Sequence, residues 1–324
     1  MPPSPQNRDP KVVNSLSRRV SSISGVGESR PLAIVSLLLL LASNPEMTEG
    51  WAATRVPARG IDPKALKVEQ ASERWENFRK QFRGVLPQAE GESGFAFLAR
   101  LQKFPRRGEV ITRKGSLYGV WSDQGLLRME FPVGEEKTIS VLLRNGPKPE
   151  VWRFESGEGE TRRLEGADWF APLAPDIDYS AFDAFMPFVH WENFSYVGSG
   201  RVIGRPAHLF KCVPPKEVQD VRPDLSYVRV AVDDTYDALL RVELFGKRGV
   251  VERKFSVVGF KKVPTGENHY WIVKTIDLVD LRSRDKTRLR IEAAAVEETF
   301  GPETFRKESL DRSPQIKGPY VFFD

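Results

Sequence analysis

Between Leu225 and Phe260 the chain reads LSYVRVAVDDTYDALLRVELFGKRGVVERKFSVVGF, with apolar residues at every second position through most of its length. Val228, Val230 and Val232 alternate with Arg229, Ala231 and Asp233. After a polar turn, Leu240, Val242 and Leu244 alternate with Arg241 and Glu243, and a turn at Gly246–Gly249 leads into Glu252–Phe260. A period of two sends successive side chains to opposite faces of a strand, so each strand has one apolar face and one wet face. Strands joined by turns this short pair antiparallel. The pattern excludes an all-helical chain and a sheet built from alternating βα units.

The same period recurs along most of the chain. Phe95, Phe97, Ala99 and Leu101 share a face, and strand-like runs follow at Glu109–Arg113, Ser116–Trp121, Leu126–Phe131, Thr138–Leu143 and Val151–Glu155. The connecting stretches RRGE, RKGS, SDQG, RNGPKPE and SGEGE carry the Gly, Pro, Asn and Asp that turns require. Further strands are expected at Glu192–Ile203, Ala207–Val213, Tyr270–Leu281 and Thr287–Val296, the last with Leu289, Ile291, Ala293 and Ala295 on one side. The total is about eleven strands, which makes the chain mainly β with an antiparallel meander.

Two segments switch to helical spacing. In Pro63–Phe82, Val68, Ala71, Trp75, Phe78 and Phe82 form one apolar stripe, with Asp62 as N-cap and Pro63 at the first helical position. In DIDYSAFDAFMPFVHW, Tyr179, Phe182, Phe185, Met186 and Val189 form a short aromatic helix, capped by Asp178 and ended or kinked by Pro187. A sheet of many twisted strands curls, and must close on itself or be covered. The two helices can cover its concave face, either as a permanent core or as a movable lid over a cavity. Both arrangements need the same apolar faces, and the period leaves both open.

The N-terminus points to export. Pro31–Ser43, PLAIVSLLLLLAS, is an apolar run preceded by Arg18, Arg19 and Arg30. Crossing a bilayer takes roughly 20 such residues, whereas the core of a signal peptide takes about 7–15. The run fits the second, with small residues offering cleavage after Ser43 or after Ala52. Residues 1–53 therefore read as a leader, 54–94 as an N-terminal helix and loop, 95–310 as the β domain and 311–324 as a C-terminal tail. A single cysteine, Cys212, cannot form an internal disulfide and lies in a strand as a small hydrophobe.

Charge and motif searches narrow the function. The net charge is +5, but 49 basic residues are interspersed with 44 acidic ones, so no basic stripe forms to track a nucleic-acid backbone. His190, His208 and His269 are far apart and lack metal-ligand spacing. There is no G-x-S-x-G elbow, H-E-x-x-H pair or phosphate-binding loop. Asp233 and Asp234 are adjacent on a strand that is about to turn, so they point apart and read as turn residues. No catalytic residue, metal or cofactor is expected.

Several runs resemble the LolA-type outer-membrane lipoprotein-sorting family, in its broader LolA-like branch. They are GSLYGVWSDQGLLRMEF (115–131), NGPKPEVWRFESGEGETRRL (145–164), YVRVAVDDTYDALLRVELFGKRG (227–249) and YWIVKTIDLVDLRSRDKTRLRI (270–291). The resemblance spans roughly residues 95–305. It implies a fold, an incomplete antiparallel barrel with helices over its concave face, and a function, a soluble periplasmic carrier of lipoprotein or lipid acyl chains toward the outer membrane. It further implies an inner-membrane transporter and an outer-membrane acceptor as partners. On this reading Val228, Val230, Val232, Leu240, Val242, Leu244, Leu289 and Ile291 line the cavity, and Phe182, Phe185 and Met186 face it from the lid. The family's shorter carriers latch the lid with an Arg-Pro pair; here the corresponding run has Arg128 and no such pair, which makes Arg128 the latch candidate. The alternative is a non-enzymatic envelope interaction module with a filled β core.

Overall fold

The computed structural model describes residues 34–35, 39–40, 63–88, 91–135, 137–265 and 268–323. Most of the predicted leader, both of its cleavage points and Asp62 lie outside these. Within it, Ile34–Val35 (β1) and Leu39–Leu40 (β2) pair antiparallel.

The remaining strands build one 14-stranded sheet. A first meander comprises β3 (Glu92–Phe104), β4 (Ile111–Val120), β5 (Asp123–Val133), β6 (Lys137–Arg144), β7 (Glu150–Glu155) and β8 (Thr161–Leu164). A second comprises β9 (Phe194–Val202), β10 (Arg205–Cys212), β11 (Tyr227–Asp233), β12 (Leu239–Phe245), β13 (Val251–Thr265), β14 (Asn268–Asp280) and β15 (Lys286–Phe300). They are joined by the β3–β15 ladder, where Leu101 lies opposite Leu289 and Ala99 opposite Ile291. The short β16 (Val321–Phe322) pairs with β15 at Ala293 and Ala294. Strands β8 and β9 are the two ends of the order and do not pair, so the barrel is incomplete, as expected.

The sheet has 14 strands against the expected about eleven, and β8 and β16 are the two with no expected counterpart, since they carry little alternation to betray them. In the other direction, RKGS is not a turn: β4 runs unbroken through it. Gly115 is there for close approach, since a Cβ would lie 2.7 Å from both the Glu130 carbonyl oxygen and the Phe131 ring.

Helix α1 (Val68–Arg79) begins later than Pro63. Lys67 is its N-cap, in extended conformation, and the Gln70 side chain accepts the Lys67 N–H at 3.1 Å. The residues ahead of it are tied to the edge strand instead: Ser199 Oγ donates to the Pro63 carbonyl at 2.6 Å, and the Leu66 N–H donates to the Tyr196 hydroxyl at 3.2 Å. Ala71, Trp75 and Phe78 form the buried stripe, with Trp75 against Phe210 and Phe194 at ring separations of 4.9 and 5.6 Å. Helix α2 (Ala181–Phe185) is capped by Ser180 rather than Asp178, through a reciprocal pair with Asp183. Met186 then turns left-handed (φ 51°) and Pro187–His190 forms a 3₁₀ turn. A third helix, α3 (Lys216–Val221), was not foreseen; its single buried residue, Val218, gives too little period to read.

The core is two-sided. The concave face, α1 and α2 form one apolar cluster. On the outer face, Phe300, Phe305 and Leu310 lie over Ala96, Tyr118, Leu126 and Leu142, so the segment after β15 straps the back of the first meander. The Lys317 and Gly318 N–H groups hold it further by donating to the Glu298 carboxylate, at 3.1 and 2.7 Å.

Candidate functional site

Ten of the eleven residues expected to line the cavity and lid meet in one place. Val228, Val230, Val232, Val242, Leu244, Leu289 and Ile291 share the concave cluster with Phe182, Phe185 and Met186, and all are buried. Leu240 is the exception. A bulge between Ala231 and Val232 sets Val232 opposite Leu239, so Leu239 faces the concave side. Leu240 packs with Val202, Ala207 and Ala231 in a small cluster on the outer face. One inserted residue changes which side chain points inward, and simple alternation cannot see it.

The lid is the connection from β8 to β9. Those strands are the two free edges of the sheet, so the chain between them must span the concavity. It contains a 3₁₀ turn at Gly166–Phe170, then α2 and Pro187–His190. Phe170, Phe182, Phe188 and Trp191 form a continuous chain of ring contacts, with Phe170 stacked on Phe182 at 4.7 Å.

Polar residues fasten this aromatic segment from both sides of the sheet. From β13, Arg253 Nη2 forms an ion pair with Asp183 Oδ2 at 3.1 Å and donates to the Asp178 carbonyl. From β3 and β15, Lys103 and Thr287 reach the two carboxylate oxygens of Asp178 at 2.9 and 3.1 Å. From the end of β6, Asn145 Nδ2 donates to the Met186 carbonyl at 3.1 Å. His190 Nε2 donates to the Phe82 carbonyl at 2.5 Å and so ties the lid to the segment after α1. Burial is the main cause that holds the His190 pKa below its ordinary value.

Closure leaves some polar atoms unserved. Tyr179 OH, Arg253 Nε and Asn145 Oδ1 are buried without a hydrogen-bond partner among the described residues. Each such atom costs about 1–3 kcal/mol against a solvated one. Burial also drives the Tyr179 hydroxyl pKa well above its ordinary range, so this group stays a neutral donor.

Arg128 does not touch the lid. It lies on the outer face, where Nε and Nη2 donate to Glu130 Oε1 at 3.1 and 2.8 Å, and Nη1 donates to the Thr304 carbonyl at 3.0 Å. It also reaches the Arg312 carbonyl. Its role is to clasp the C-terminal strap, and the lid fastening falls to Arg253, Lys103, Thr287 and Asn145. Sequence offered little to find these, because each is an ordinary polar residue in or beside a strand whose partner lies far along the chain.

Two of the described titratable or nucleophilic residues outside the lid are held in structural roles. His208 is buried between Tyr196 OH (3.1 Å) and Asp234 Oδ1 (2.5 Å), a chain that ties β9, β10 and the turn after β11 together. Cys212 is buried and its thiol pKa is pushed up by desolvation, which suits a packing residue. Among the described residues no group of three or more His, Cys, Asp or Glu is arranged to hold a metal.

No protein-family model matches the sequence, and no curated protein matches it. Solved structures do. A DUF1329 family protein from Desulfovibrio piger aligns with a TM-score of 0.57 at 16% identity, over 77% of this chain and 100% of its own. An outer membrane lipoprotein-sorting protein domain from Vibrio parahaemolyticus gives 0.56 at 14%, over 76% and 98%. A LolA superfamily protein from Nitrosomonas europaea gives 0.50 at 12%, over 75% and 99%. At these identities the likeness defines the fold alone: an open antiparallel sheet shared with the DUF1329, lipoprotein-sorting and LolA superfamily structures.

Proposed function

We propose that this protein is an exported periplasmic carrier. It holds the acyl chains of a lipoprotein or lipid against the concave face, beneath the 166–191 lid, and passes them toward the outer membrane. The observation that carries the reading is the pairing of an unbroken apolar face with a covering segment that has its own polar fastenings. Water can replace those fastenings when the segment lifts, and the unserved Tyr179, Arg253 and Asn145 atoms lower the cost of opening.

Loading is then an exchange. In the closed state Phe182, Phe185, Met186 and Phe188 occupy the face. Lifting four such side chains costs on the order of 6–12 kcal/mol at about 1.5–3 kcal/mol each. A fatty tail of about 14 methylenes recovers on the order of 11 kcal/mol at about 0.8 kcal/mol each. The near balance makes the exchange reversible, as carriage requires, and the size of the face sets what fits. An inner-membrane transporter that loads the cargo and an outer-membrane acceptor that takes it are the partners this reading implies.

The second reading, an envelope interaction module with a filled core, draws its support from the close packing of the lid rings on the sheet. Mass spectrometry of the protein purified from the periplasm separates the two. A co-purifying phospholipid or acylated peptide near one per chain is the expected result. A bare chain that also fails to bind a fluorescent fatty-acid probe ends the carrier reading.

A further inference from the structure

Given the carrier reading, on which this depends, we propose that the cargo ends in a phosphate head. Lys103, Thr287 and Arg253 hold that head where Asp178 of the lid sits in the closed state.

The concave face is not apolar from end to end. Leu101, Leu289 and Phe255 belong to its cluster. Two residues along the same strands, and so on the same face, stand Lys103, Thr287 and Arg253. Lys103 lies opposite Thr287 in the β3–β15 ladder, and Arg253 is two strands away on β13. The face therefore has a floor suited to hydrocarbon and, at one end, a row of donors.

In the closed state these donors converge on one lid residue. Lys103 Nζ and Thr287 Oγ1 donate to Asp178 Oδ1 and Oδ2 at 2.9 and 3.1 Å, and Arg253 Nη2 donates to the Asp178 carbonyl. One compact group can thus be reached from all three strands. Lifting the lid takes those acceptors away, together with Asp183 on Arg253. The lid loses little, because Asp178 enters water and Asp183 keeps the Ser180 N–H and hydroxyl. The sheet loses more. Thr287 is fully buried, and an acyl chain laid along the face excludes water while offering no acceptor.

The acids that stay with the sheet are committed elsewhere. Asp285 stands 3.7 Å from Lys103 and accepts the Arg106 N–H at 2.9 Å. Asp280, opposite Arg253, accepts the Arg282 and Ser283 N–H groups at 2.8 and 3.0 Å. The missing acceptor has to arrive with the cargo. Arg253 Nε is buried with no partner among the described residues even under the closed lid, one donor more than the lid serves. A phosphate has more acceptor oxygens than a carboxylate and matches the guanidinium fork, so it suits this set better. Arg113 on β4, paired with Asp176 of the lid at 3.0 Å in a more exposed position, adds a further cation beside the row.

Displacement of a fluorescent fatty-acid probe tests this, comparing hexadecyl phosphate with hexadecanol, the same chain with and without the head. Wild type is expected to bind the phosphate about ten-fold more tightly. Lys103→Met should cut that preference about five-fold. Asp178→Asn removes the competing charge, leaves the sheet donors intact and should raise it. If these residues only fasten the lid, each variant loosens it and strengthens both ligands alike; such a parallel change overturns the proposal. Equal affinity of wild type for the two ligands also overturns it, and leaves the carrier reading standing. Failure to bind either ligand or the probe ends both. Calorimetric titration with inorganic phosphate addresses a free anion. Asp178 fills the place until a chain lifts the lid, so no binding is expected, and tight binding overturns the proposal in favour of a soluble anion.

Discussion

Replacing Arg253 by methionine cuts the lid fastening on the β13 side and asks whether the lid is a separate unit. The guanidinium reaches Asp183 at 3.1 Å, with side chains 16% and 3% exposed. A charge-assisted bond to a carboxylate this buried contributes about 2 kcal/mol after allowing for the partial exposure of the arginine. Methionine fills the volume of the arginine stem, and Asp183 keeps the Ser180 N–H and hydroxyl, at 3.0 and 2.6 Å, so the carboxylate is not left bare. If the lid opens alone, about 2 kcal/mol converts to about 30-fold faster amide exchange through α2 and the following turn. The β3 and β15 amides, which form the centre of the sheet, should keep their protection. Native-state hydrogen exchange reads both regions at once. Equal loss of protection in lid and sheet means that the lid comes away only when the whole molecule unfolds, and the carrier mechanism fails with it.

Other substitutions test the remaining assignments. Arg128→Met removes both donors from Glu130 Oε1, leaving Ser313 and Tyr118 on Oε2, in a site where the two side chains are 1% and 7% exposed; a loss of about 3 kcal/mol is expected. Limited proteolysis of 301–318 should accelerate while fatty-acid probe affinity stays unchanged. Leu239→Ala should weaken probe binding and Leu240→Ala should not, although both lose stability; titration of the probe on each variant checks the bulge assignment. Burial holds the His190 pKa down, so the unfolded chain takes up a proton before the folded one does. Stability contributed by neutral His190 is therefore complete above about pH 6.5 and falls as the pH drops toward the folded value. Urea melts at pH 7.5 and 5.5 should show a shallower decline for His190→Gln than for wild type.

Much of this fold is legible in the sequence because a half-buried strand writes its burial as a period of two. Val228 to Val232 and Leu289 to Ile291 need no further information to be placed inward. The misplacements share a cause, which is that something distant overrides a local signal. Gly115 reads as a turn until the Phe131 ring is seen against it. Pro63 reads as a helix start until Ser199 and Tyr196 are seen holding the preceding stretch to the sheet edge. Leu240 reads as inward by alternation and is displaced by a bulge in its own strand, seen only when Ala231 and Val232 are found opposite Arg241 and Leu239. The lid aromatics were visible, but their fastening was not, since Asp178 and Asp183 meet residues from three separate strands. Arg128 stood out by resemblance and turned out to hold the opposite face.

The ladder between β3 and β15 also dictates the order of events when the chain is made. Leu101 has to wait for Leu289, so the first six strands emerge with one long flank bare while nearly two hundred further residues follow about as far behind as a whole small domain. Zipping the two halves together is the slow, final step, as expected where distant pairings dominate. Until then the exposed flank invites mispairing with other chains, and a newly made copy finishes best where a holding chaperone or low crowding keeps that flank apart.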